Sequence, residues 1–264
     1  MSNKINFSTL FSDSINEYIK KSFEDIDDSI LVYLHIPKAA GNTSIGQIKQ
    51  HLQPNFSLQW NDIDGSIKEL IETEEKYRLV SGHLWDSHIN LLRENNFKHY
   101  SVTFIRHPIQ RIISQYRYMC TPKHPESEQF LEKYPKFDDF ALNEIEPNYM
   151  AKVLVGGAKS FDDYWSKLCE RYTFIGLSEF YNTAMIILMN ALNLPYTIEE
   201  KKNVTLKTSA NSNLLIDYKV YNKLEKTHSL DIQMFNYLNV QYSKISEKLL
   251  FEIYNTQNLN LFNS

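Results

Sequence analysis

With 264 residues, 42% of them hydrophobic and 23% charged, the chain has the make-up of a folded domain with enough apolar surface for a sizeable core. A formal net charge of -4 excludes broad electrostatic attachment to nucleic acid or to an anionic membrane, because such binding needs many phosphates neutralised by Lys and Arg. Any anion site must be local.

The first residues mix Lys, Glu and Asp with apolar side chains and do not read as a signal peptide, and no run of about 18 apolar residues occurs. The expectation is a cytoplasmic protein without a membrane span. Cys120 and Cys169 make no disulfide framework and lack C-x-x-C spacing, so they read as inert thiols. No linker or repeat divides the sequence, which predicts one domain over 1–264.

In chain order, Ile15, Tyr18, Ile19 and Phe23 fall at helical spacing and predict an amphipathic packing helix. "SILVYLHI" (Ser29 to Ile36) is a continuous apolar run, as expected of a central strand covered on both faces. Pro37 ends it, and "NTSIGQIKQHL" begins a helix just after Gly41. "YRLVSGH" and "KHYSVTFIR" read as further strands, the second followed by Pro108 at the first turn of a helix, where its missing N–H costs nothing. Residues 120–147, with four prolines and many charges, break the pattern and read as an insertion or lid. "YTFIGLSE" and "YNTAMIILMNALN" predict another strand and a buried helix. Ile232, Phe235, Tyr242, Ile245 and Leu249 mark one face of a long C-terminal helix. Strands alternating with helices predict an α/β fold: a P-loop-like, mainly parallel sheet flanked by helices, with a helical C-terminal part.

In such a sheet, ligands settle at the carboxyl ends of the strands, and the loop after the first strand leads into a helix N-terminus that favours phosphate. "YLHIPKAAGNTS" has that build. Gly41 lets the backbone approach a ligand, Asn42, Thr43 and Ser44 add donors, and Lys38 stands on the near side. The lysine precedes the glycine, unlike the order G-x-x-x-x-G-K-[ST] of triphosphate loops. In "SVTFIRHPIQRIISQY", Arg106 ends a strand and Ser114 lies in the second turn of the next helix, so fork and hydroxyl can approach one phosphate. Arg111 reads as a weaker candidate that pairs on the helix surface or packs against the core. Between these motifs His83, in "SGHLWD", follows a strand at the same edge, where a neutral imidazole could take a proton.

These residues carry a family resemblance. "HIPKAAGNTS" resembles the 5′-phosphosulfate loop, and "FIRHPIQRIISQY" the 3′-phosphate motif, of sulfotransferases that use 3′-phosphoadenosine 5′-phosphosulfate (PAPS). The variant is similar to the branch of heparan sulfate 2-O- and 6-O-sulfotransferases and bacterial relatives. "SGHLWD" resembles more weakly the segment that carries the general base. The departures are Asn42, inserted in the small-residue stretch, and His107, where an acidic residue is common.

The resemblance implies PAPS as donor and PAP as product, with no metal. It implies a donor site of Lys38, Ala39, Ala40, Gly41, Asn42, Thr43, Ser44, Arg106 and Ser114, with Lys38 also stabilising the leaving oxygen and His83 as base. The implied acceptor is a hydroxyl on a saccharide or saccharide-containing molecule, with lipid, polyketide and small-molecule alcohols left open, and Trp85, Tyr149 and Lys152 are the acceptor-side residues. Two alternatives stand beside it: a P-loop small-molecule kinase, and a non-catalytic PAPS-fold binding module.

Overall fold

The computed structural model describes residues 7–12, 15–52, 57–60, 77–196, 214 and 216–261. Its centre is β1 (Ile30–Leu34), whose Leu31, Val32, Tyr33 and Leu34 are all buried, as the unbroken apolar run requires. β2 (Ser57–Trp60), β3 (Leu79–Gly82), β4 (His99–Ile105) and β5 (Phe174–Leu177) join it in the order β2-β3-β1-β4-β5. Every pairing is parallel. Leu34 is in register with Gly82 on one side and Thr103 on the other, and the Thr103 hydroxyl donates to the Leu34 carbonyl at 2.8 Å.

That register brings the residues just after β1, β3 and β4 to one edge. The chain leaves β1 towards β3 on one side and returns to its other side as β4, which opens a crevice at the switch point.

The helices follow the predicted grammar. α1 (Ile15–Lys21) buries Ile15 and Tyr18. α2 (Gly41–Lys49) starts at the expected glycine, and α3 (Asp86–Glu94) follows β3. α4 (Pro108–Met119) begins on its proline. After α4 come α5 (Ser127–Lys133), α6 (Phe137–Asn143), α7 (Tyr149–Val155) and α8 (Phe161–Arg171). Beyond β5 lie α9 (Tyr181–Ala191), α10 (Tyr218–Thr227) and α11 (Ser229–Leu261). Among the described residues, no helix is long and apolar enough to cross a membrane.

Among the described residues, two apolar clusters hold these layers together. The larger surrounds the sheet, and α11 joins it through Met234, Phe235, Leu238, Tyr242 and Ile245. The smaller gathers Phe130, Tyr134, Phe137 and Phe140 around Tyr116 of α4, and Leu224 of α10 joins it. Residues 120–147 thus pack their aromatic side chains against α4: the Phe140 ring lies 5.6 Å and the Phe137 ring 5.5 Å from that of Tyr116.

A reciprocal clasp ties α7 to α11. The Asn148 side-chain oxygen accepts from the Leu230 and Asp231 N–H groups at 3.0 and 3.3 Å, while the Asp231 carboxylate accepts from Met150 and Ala151 at 2.9 and 2.8 Å. Each helix start is therefore satisfied by the residue at the other. Asn148 sits at φ 46, a left-handed conformation that asparagine tolerates.

Candidate active site

The loop between β1 and α2 alternates its backbone hand. Lys38 and Ala40 both lie at φ 67, with Ala39 between them at negative φ. Such alternation turns successive N–H groups towards one concavity, a form that suits an anion. At the start of α2, the Thr43 and Ser44 N–H groups point back to the Ala40 carbonyl at 3.1 and 3.2 Å. The groups of the turn that precede this pairing, at Gly41 and Asn42, are those placed for a ligand.

Ser44 stands differently from the expectation. Its hydroxyl is fully buried, 2.5 Å from the Tyr33 hydroxyl, and also donates to the backbone of α2. The side chain faces the core, because Tyr33 reaches beneath the helix from β1. Ala39 is likewise buried, while Asn42 is exposed and Thr43 half-buried.

Gly41 has a packing role. The His35 imidazole fills the space where a side chain would begin, so close that a Cβ there would lie 1.9 Å from its Cδ2. The His35 ring in turn stacks on His83, with centroids 4.6 Å apart and planes at 21°. Burial, with the His83 ring and Lys38 nearby, pushes His35 down to about 4, so this imidazole is neutral near pH 7.

His83 itself is exposed at the edge, and its Nδ1 lies 3.0 Å from the His35 carbonyl oxygen. A carbonyl only accepts, so Nδ1 carries the hydrogen, and in the neutral ring the lone pair is then on Nε2. That tautomer can act as a base.

The two anion motifs meet. Arg106 Nη1 donates to the Lys38 carbonyl at 3.3 Å, which joins the end of β4 to the loop after β1. Burial lowers the Lys38 ammonium below its ordinary range, and the Arg106 charge adds to this. Two half-buried cations side by side form a local positive centre on a chain whose net charge is -4. Ser114, half-buried, lies on α4 just beyond Arg106.

Glu179 is a partner that the sequence motif did not reveal. Its carboxylate accepts from the His107 N–H at 3.1 Å and its charge acts on Arg106. The acidic group missing at position 107 is thus supplied from the end of β5, a relation visible only once β4 and β5 are paired.

On the other side, Trp85 and Tyr149 come together edge to face, 6.4 Å between centroids. Arg111 is buried and packs against the core, the second of the two expected alternatives: its guanidinium lies 4.5 Å from the Tyr149 ring centroid and bonds Gln115 at 2.9 Å. Lys152 points away, into an exposed ion pair with Glu146.

A family model described as "Sulfotransferase family" matches residues 22–238. No curated protein matches the chain. Among solved structures, the chain aligns with mouse sulfotransferase SULT7A1 complexed with PAP at 13% identity and a TM-score of 0.39, covering 75% of this chain and 67% of that one.

Proposed function

The chain belongs to the sulfotransferase family, and from that premise we propose that it transfers a sulfuryl group from PAPS to a saccharide hydroxyl. Family membership sets the kinase alternative aside. The observation that carries the donor reading is the convergence of Lys38, Arg106 and His83 on one sheet edge, tied together by the Arg106–Lys38 and His83–His35 bonds.

The residues present fit such a donor. It carries phosphate at two places, and the edge offers two anion-binding elements: the left-handed loop with its helix start, and Arg106 with Ser114. When bound, PAPS supplies the sulfuryl group that moves from its 5′-phosphate oxygen to the acceptor. The Gly41 and Asn42 N–H groups hold the 5′ end, and the Lys38 ammonium stabilises the charge that develops there. Arg106 and Ser114 hold the 3′-phosphate, with Glu179 steadying the guanidinium. His83 Nε2 removes the acceptor proton, and the neutral His35 ring beside it adds no competing charge.

For the acceptor, the supporting features are the aromatic pair Trp85 and Tyr149 near His83, whose ring faces suit a sugar, and the absence of a strongly basic composition. A neutral or lightly charged saccharide fits best.

The test is a panel of saccharides incubated with radiolabelled PAPS and read by mass spectrometry for one added sulfate. His83→Ala should reduce turnover by about 10²–10⁴-fold and leave PAP affinity nearly unchanged. Equal losses in turnover and affinity would remove His83 from the base role, and a protein that binds no PAP would refute the donor reading.

A further inference from the structure

The Lys38 ammonium rests on an aromatic face: its Nζ lies 4.2 Å from the centroid of the Tyr118 ring. We propose that Tyr118 is a positioning residue for the transfer reaction, its ring face seating the Lys38 ammonium at the donor edge before the donor arrives. The consequence for the rate rests on the PAPS reading above; the seat itself rests on geometry.

Lysine ends a flexible four-carbon stem, and an untethered ammonium at a loop mouth samples many positions. The loop starts that stem from a left-handed backbone, and the like charge of Arg106 stands close by. A carboxylate could hold the lysine in place, but it would neutralise the charge that the leaving phosphate needs. An aromatic face attracts the cation through its quadrupole and leaves the full charge available. Tyr118 is therefore a seat that positions without competing.

The seat is itself fixed. Tyr118 lies one helical turn beyond Ser114 on α4, so one helix presents both the 3′-phosphate hydroxyl and the lysine's rest. Its carbonyl accepts from both the N–H and the hydroxyl of Thr121, at 2.9 and 2.6 Å. The His124 ring meets it edge-on, 5.6 Å between centroids at 90°, and His124 Nδ1 accepts from the Glu126 N–H at 3.2 Å. The segment after α4 thus buttresses the ring that carries the lysine.

The cation lies over the ring, so phenylalanine should serve and leucine should not. Carbon-13-labelled lysine reads the seat directly: the Lys38 ε-methylene, assigned by its loss in Lys38→Met, should resonate upfield through the ring current. The shift should persist in Tyr118→Phe and vanish in Tyr118→Leu. In parallel, Tyr118→Leu should lower acceptor-independent breakdown of radiolabelled PAPS about five- to tenfold while the Kd for PAP changes less than about threefold. Tyr118→Phe should match wild type in both within about twofold. An unshifted Lys38 signal in the wild type, or wild-type PAPS breakdown in Tyr118→Leu, overturns the proposal. If no form binds PAP, the donor reading falls while the spectra still decide the seat. If Tyr118→Leu does not fold, the wild-type and Tyr118→Phe spectra decide it.

Discussion

Gly41→Ala adds one methyl group to space that His35 already occupies. The new Cβ would lie 1.9 Å from His35 Cδ2, 2.4 Å from Nε2 and 2.7 Å from Cγ, whereas ordinary contact begins at 3.4 Å. The imidazole must retreat by about 1.5 Å. Its way is barred by the stacked His83 ring at 4.6 Å, and its backbone is tied by the His35 N–H to the Gly82 carbonyl at 2.8 Å. Overpacking of this kind costs about 1–3 kcal/mol, which lowers Tm by roughly 2–4 °C per kcal/mol in a domain of this size. The larger effect falls on turnover, because a misplacement of about 1 Å in a reacting group can cost about 10²-fold. Scanning calorimetry and the rate of labelled PAPS consumption measure the two losses. The decisive variant is Gly41→Ala combined with His35→Ala, which returns the space and should recover much of the lost stability, a non-additive result expected of residues in contact. Simple addition of the two single losses, or a Gly41→Ala protein that melts like wild type, would refute the reasoning.

Two other predictions concern charge. Arg106→Ala should weaken PAP binding by about 2–5 kcal/mol in titration calorimetry, the cost of a phosphate left facing no partner, and unchanged affinity would remove Arg106 from the donor site. Acid stability should also decline below neutrality. Burial pushes His35 and His228 each down to about 4 from 6.5, so the stability they contribute is present above pH 6.5 and lost as pH falls towards 4. Asp231 is raised by burial to about 6, so its contribution is present below about pH 3.8 and lost as pH rises through 6, the opposite slope. Two histidines outweigh one carboxyl, and urea midpoints should fall between pH 6.5 and 4. His228→Gln, which can still accept from the Asn148 N–H, should make the profile shallower, with His35 and His107, both lowered by burial, keeping part of the slope; a slope as steep as wild type would count against the assignment.

The parts of this molecule readable in sequence are those whose cause is local. A continuous apolar run followed by Pro37 and Gly41 is enough to predict β1, its loop and α2, and Pro108 marks the start of α4. Contacts made at long range were hidden. Nothing in "HIPKAAG" says that the His35 ring will occupy the glycine's empty side, nor that Tyr33 will turn Ser44 inward from 11 residues away. Glu179 meets His107 across 72 residues, and the Lys38–Tyr118 contact likewise joins separate motifs. Residues 120–147 read from their prolines and charges as an insertion or lid, and that Phe130, Phe137 and Phe140 share a centre with Tyr116 of α4 is a further contact the local sequence does not show.

The clasp between Asn148 and Asp231 gives the helix that carries Tyr149 an unusual dependence on a distant part of the chain. The Met150 and Ala151 amides donate to a carboxylate 81 and 80 residues further on, and Tyr149 stands beside them on the same helix. Their exchange with deuterium is therefore governed by the undocking of α11 and not by fraying of the short helix in which they lie. Any event that loosens the C-terminal helix reaches the Trp85–Tyr149 pair without passing through the loop after β1.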